Sequence, residues 1–181
     1  MPNPIEQAAS KTMGAAKVAK ATLKGLTGVF KHLMQEHGEV SVLMKRVSMS
    51  SDAQVRREHY PKIRMELLSH ERAEIAEVYA LLGRREDTRE MVADHNAEAR
   101  DLEAAIRGLD MLDPTGSEWG PAFERMAVLV EEHVAEEESN FFPRAQEAIG
   151  EDLAKTLLSA YEARKGVIRR EIEAQSPPVA H

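Results

Sequence analysis

The chain has 181 residues, no cysteine and a net charge of −7, and 43% of its residues are apolar. That suits one domain with a sizeable core and is too apolar for disorder. Disulfides, thiolate metal sites and cysteine nucleophiles are excluded, and no apolar run approaches the ~18 residues of a membrane span. The N-terminus, Met-Pro-Asn-Pro-Ile-Glu-Gln, lacks a secretory pattern, which makes the cytoplasm the default compartment. Charge is unevenly spread. Up to Lys31 there are five lysines against Glu6 alone, which gives +4 and leaves −11 for the rest. An acidic body argues against nucleic acid as a partner.

Residues 5–24, rich in alanine and lysine, read as a weak helix with a thin apolar edge of Ile5, Met13, Leu23 and Leu26. A basic amphipathic helix on an anionic membrane surface is one reading. A helix lying along an acidic bundle is the favoured one, because the apolar side is poor and the body has the opposite charge.

The first long helix is predicted from about Gly28 to Ser48, with Phe30, Leu33, His37, Val40, Met44 and Val47 on one stripe. His32 has a glutamate four residues on, Glu36, but lies off that stripe and serves as a warning. The His-x-x-x-Glu spacing is common by chance on a surface; it carries information only on a buried face. Ser48-Met-Ser-Ser51 supplies a loop with N-cap chemistry. The second helix runs from about Asp52 to Leu82, with Pro61 expected to kink or restart it. Its stripe is Ile63, Leu67, His70, Glu74, Val78 and Leu81. His59 shares the stripe but lies roughly 16 Å before His70 along the helix, too far for one site. Tyr60 is a candidate for the site mouth.

Gly83 stops this helix, and Asp87-Thr-Arg-Glu90 reads as a capping box for the third. Its stripe is Met91, His95, Leu102, Ile106 and Leu109, with Ala99 one turn after His95. After a loop containing Pro114, Gly116 and Gly120, a fourth helix runs from near Pro121 to about Ile149. Met126, Val130, His133, Glu137 and Phe141 form its stripe. A last helix, from about Glu151 to Glu173, carries Leu153, Leu157, Tyr161 and Ile168 and is expected to pack outside the bundle. The expected parts are a basic helical extension (1–27), a four-helix body (28–148), a C-terminal helix (149–174) and a flexible tail (175–181) in which His181 is uninformative.

Two segments stand out, His70-Glu-Arg-Ala-Glu74 and His133-Val-Ala-Glu-Glu137. Four residues along a helix return to the same face, so each segment aims an imidazole and a carboxylate at one point. The order is His37, then His70 with Glu74, then His95, then His133 with Glu137, at histidine separations of 33 and 38 residues. Short connections make neighbouring helices antiparallel, so the fold class is all-α, an up-down-up-down four-helix bundle with additional terminal helices. Buried carboxylates without partners are costly. No Lys or Arg shares their stripes, and four protonated imidazoles would repel one another. Two divalent cations answer both problems. Imidazole and carboxylate together suit Fe, Mn or Zn, and the donors are too many for one tetrahedral ion. Ferritin-like Glu-x-x-His is absent: Met34, Leu67, Val92 and Val130 stand three before the histidines.

Leu33-Met-Gln-Glu-His37, Glu66-Leu-Leu-Ser-His-Glu-Arg-Ala-Glu74, Asp94-His95, Glu131-Glu-His-Val-Ala-Glu-Glu-Glu138 and Phe141-Phe-Pro143 together resemble the hemerythrin-like (HHE cation-binding) family over roughly residues 28–148. The resemblance implies a centre of two non-haem iron ions bridged by carboxylates and an oxo or hydroxo group. His37, His70, Glu74, His95, His133 and Glu137 would be its ligands. It also implies a small diatomic ligand, O2 or NO, for storage, scavenging or sensing. An enzyme decomposing peroxide or nitric oxide, and a structural or metal-responsive bundle holding zinc, are the alternatives. Oxygen-carrying members have a histidine where this chain has Ala99. The centre is therefore more symmetric or takes an extra ligand, with Glu71 the nearest candidate and Glu138 behind it.

Overall fold

The computed structural model describes residues 4–175. All regular structure among them is helical: α1 Pro4–Leu23, α2 Gly28–Ser48, α3 Ala53–Glu74, α4 Arg89–Asp110, α5 Trp119–Glu136 and α6 Phe142–Gln175. None of these is long and apolar enough to cross a membrane. The tail 176–181, with His181, lies outside the described residues.

The expected stripes are buried. On α2, Phe30, Leu33, His37, Val40, Met44 and Val47 face the core; on α4, Met91, His95, Ala99, Leu102, Ile106 and Leu109 do so. Contacts between α3 and α4 run in opposite chain directions, from Tyr60 against Asp110 to Arg72 against Glu103. Those between α2 and the fourth long helix do the same, from Phe30 against Phe142 to His37 against Glu138.

Helix α3 runs through Pro61 without a restart. One expectation is corrected. The capping box is not formed. Thr88, not Asp87, precedes the first turn of α4; its hydroxyl donates to the Leu82 carbonyl at 2.6 Å, and Asp87 pairs with Arg85. Helix α1 leaves Ile5 and Leu23 75% and 90% exposed, whereas Leu26, on the same predicted edge, is buried. The helix docks through lack of bulk. A Cβ on Gly38 would stand 2.7 Å from the Met13 carbonyl oxygen, so only glycine lets the two backbones approach this closely.

Both His-x-x-x-Glu segments run into a π-helical turn, Ile75–Tyr79 after Glu74 and Glu137–Phe141 starting at Glu137. A π turn adds a residue and rotates everything beyond it. Tyr79 and Leu82 therefore face inward and Leu81 only half does, where a continuous α-helix would have buried Leu81. Phe141 and Phe142 are both wholly buried for the same reason.

Gly150, with φ +77°, turns α6 back over α2 and α3. Its return is seated by Gly28, where a Cβ would meet the Ala154 backbone at 2.2 Å. The last part of α6 is thus less peripheral than expected: Tyr161 is fully buried and reaches the histidines.

Candidate metal centre

Each long helix places one stripe histidine at a common level. His37 and His70 face each other, Nε2 to Nε2, at 3.3 Å. His95 and His133 form a second pair with ring centroids 5.5 Å apart. Glu137 lies between the pairs: Oε2 is 3.3 Å from His37 Nε2 and Oε1 is 3.4 Å from His133 Nε2. Two donor groups result, His37/His70/Glu137 and His95/His133/Glu137, each with its ligand atoms within 4.8 Å of one another. Glu74, fully buried, brings Oε2 to 3.4 Å from His70 Nε2. Glu71 is also buried, with Oε2 3.2 Å from His133 Nε2, and is not a solvated neighbour of His70.

Several of these atoms lack hydrogen bonds although no water reaches them: both Glu74 oxygens, Glu71 Oε1, Glu137 Oε2 and His133 Nε2. Burial and the nearby Glu137 push the Glu74 carboxyl up to about 8, against the opposing pull of His70. Burial alone would raise Glu137 as well, but His133, His37 and His70 hold it below the usual carboxylate range. Desolvation would lower the two imidazoles; instead Glu36 and Glu74 raise His70 to about 10, and Glu137, Glu71 and Glu98 raise His133 to about 11. Buried acceptors without donors, beside imidazoles, are what a cation site presents. The donor set fits Fe, Mn or Zn.

The other ring nitrogens face carboxylates, the arrangement that orients a ligating histidine. Glu138 Oε1 lies 3.3 Å from His37 Nδ1. Its carboxylate is paired with Lys17 and, at 3.0 Å, with Lys20, and Lys24 donates to its backbone carbonyl at 2.7 Å. Glu138 thus stands behind His37, facing α1. Glu36 Oε2 lies 2.8 Å from His70 Nδ1 and also accepts from Tyr161 Oη at 2.6 Å and Lys165 Nζ at 2.8 Å. Glu98 Oε2 lies 2.9 Å from His133 Nδ1, with which it hydrogen-bonds, and 3.3 Å from His95 Nδ1, which makes no hydrogen bond. Tyr79 donates to Glu137 Oε1 at 2.7 Å.

All six stripe residues, His37, His70, Glu74, His95, His133 and Glu137, therefore gather at one level. His59 is buried but belongs to neither donor group. Tyr60 is not at the site mouth: its hydroxyl bonds Asp110 at 2.7 Å, and its ring packs edge-on against Trp119. His32 pairs with Glu36 at 3.0 Å, so the off-stripe pair joins the shell around His70. Glu36, Glu98, Tyr79 and Tyr161 were not among the expected site residues. Glu98 had a signal, its place one turn after His95; Tyr161 had none, being 91 residues from the histidine it touches.

A cavity of about 200 Å³ opens onto this level. Its lining is mixed: apolar Val40, Leu43, Leu67, Leu102, Val130 and Val134, the site residues His37, His70, His133 and Glu71, and the polar Ser10, Glu36, Glu39, Glu66 and Lys165. Ala99, 3% exposed, lines a smaller gap of about 40 Å³ that also touches Glu71.

Comparison with known proteins places the chain. It is 23% identical over 147 residues to a DNA nickase of Nostoc sp., a stretch covering 80% of this chain and 41% of that relative. No solved structure matches it. The family model for the hemerythrin HHE cation binding domain matches residues 25–145, which contain every histidine and glutamate of both donor groups. The chain is a helical member of the hemerythrin HHE cation-binding domain family.

Proposed function

We propose that this is a non-haem di-iron protein that binds O2 or NO, for storage, scavenging or sensing, inside an up-down-up-down four-helix bundle. The observation that carries the reading is Glu137. Its two oxygens reach one histidine of each pair, and Oε2 has no hydrogen bond. A carboxylate so placed suits a bridge between two cations, with Glu74 completing the side of His70. Iron bound there would supply a redox-active Lewis acid. The chain's own part is to bind, orient and exclude water. Glu138, Glu36 and Glu98 fix the imidazole rings from behind. The cavity beside the histidines, about 200 Å³, has room for a small ligand. Tyr79, whose phenol is held protonated by burial and then by Glu137, keeps its proton on the Glu137 side of the site.

Metal analysis of the purified chain tests this directly. Close to two irons per chain, followed by spectral changes with O2 or NO, supports it; little iron after expression with iron supplied would withdraw the redox chemistry and favour a zinc-holding bundle. One observation favours a second reading, an enzyme decomposing peroxide or nitric oxide. Ala99 stands one turn after His95 where oxygen-carrying members have a further histidine, and it lines a small gap beside Glu71. Rapid O2 evolution from peroxide would select it. The acidic net charge of −7 argues against extending the relative's DNA nickase activity to this chain.

A further inference from the structure

Helices α1 and the returning part of α6 both lie outside the residues matched by the family, 25–145. Yet each sends charged side chains to the back of one candidate ligand. Lys17 and Lys20 on α1 and Lys24, the residue that follows it, are spaced by three and four. All three end on Glu138: Lys17 and Lys20 on its carboxylate, Lys24 on its carbonyl. That carboxylate is only 3% exposed and faces His37 Nδ1. On α6, Tyr161 and Lys165 sit one turn apart and both contact Glu36 Oε2, the atom facing His70 Nδ1.

We infer that α1 and α6 are working parts of the centre: Lys17 and Lys20 hold Glu138 against His37, Tyr161 and Lys165 hold Glu36 against His70, and these four are positioning residues that set the charge behind the first histidine pair. The inference rests on the proposed reading of the centre as a metal site. A carboxylate behind a ligating imidazole orients it and strengthens it as a donor. A cation on the far side of that carboxylate offsets part of its charge. Removing the lysines therefore leaves more negative charge behind His37, which favours the higher oxidation state of a bound ion. Removing the charge of Glu138 favours the lower one.

The test uses the full chain loaded with iron and reads its midpoint potential, with metal content measured first. Lys17→Met with Lys20→Met should lower the potential, Glu138→Gln should raise it, and Lys17→Arg with Lys20→Arg should return it to the starting value. Glu138→Gln should also give up zinc to a chelator about tenfold more readily. Opposite shifts are beyond a merely structural role, which would move both variants the same way. Should the methionine pair fail to fold, judged by circular dichroism, Glu138→Gln and the arginine pair still decide, since an unmoved potential in Glu138→Gln overturns the inference. If the unaltered chain binds no metal, the reading of the centre and the inference fall together. If it binds metal and the shifts are absent or share one sign, the inference falls alone.

Discussion

The two halves of the centre are alike in sequence and unlike in surroundings. His37 and His70 are each backed by their own carboxylate, Glu138 and Glu36, and each carboxylate is held by lysine from a terminal helix. His95 and His133 share one carboxylate, Glu98, which is 43% exposed and has no lysine among its described partners. Their compensation comes from inside, where Glu71 approaches His133 Nε2 at 3.2 Å. A repeated motif therefore sets out the candidate metal donors without setting what stands behind them. That depends on what later elements lay against the outer ring nitrogens.

The largest effect should come from removing a donor. His70→Ala or His133→Ala should lose metal and about 3–5 kcal/mol of stability together, because the carboxylates left behind are buried and uncompensated. Iron content and thermal unfolding of both variants are the measurements; unchanged iron in both would break the comparison at its root. Next in size, Glu98→Gln should weaken both histidines of the second half, whereas Glu36→Gln should weaken His70 alone. The expected loss in metal affinity is about 10–100-fold, read by chelator competition. Glu98→Gln should show the greater loss, and equal losses would mean that the shared carboxylate is no weak point.

Proton linkage should reveal where the halves agree. Without metal, His70 and His133 are raised to about 10 and about 11, and Glu74 to about 8. All three hold protons more tightly folded than unfolded. The histidine contributions are present below the unfolded imidazole value of about 6.5 and are lost as pH rises through the folded ones; that of Glu74 fades between about 4.3 and 8. The metal-free chain should thus lose stability from neutral pH upward, while metal, which displaces these protons, binds more tightly over the same range. Melting curves with and without metal from pH 6 to 9 should diverge, and a constant gap would contradict the linkage. The smallest effect belongs to Tyr60→Phe, remote from both halves. Losing the bond to Asp110 should cost about 1 kcal/mol and leave metal binding unchanged.

Periodicity made the buried His-x-x-x-Glu pairs legible, because a residue pair four apart on a buried helical face has one direction to point. The same reasoning misplaced Leu81, although Val78 and Phe141 are buried as expected. Leu81 fits a continuous α-helical stripe, but the π turn at Ile75–Tyr79 turns Tyr79 and Leu82 inward instead. Nothing in local spacing announces that extra residue. Likewise α1 was legible as a basic helix, but not the glycine contact at Gly38 that seats it with its lysines over Glu138.

The sequence by itself determined the helices, the buried stripes and the order His37, His70–Glu74, His95, His133–Glu137, since these come from the 3.6-residue period and from which side chains avoid water. Only the tertiary structure decided which carboxylate stands behind which imidazole, and that Tyr161 and Lys165 belong to the site. Those contacts join residues 91 and 129 positions apart, from His70 to Tyr161 and from Glu36 to Lys165. They depend on backbone approach distances that no local pattern encodes.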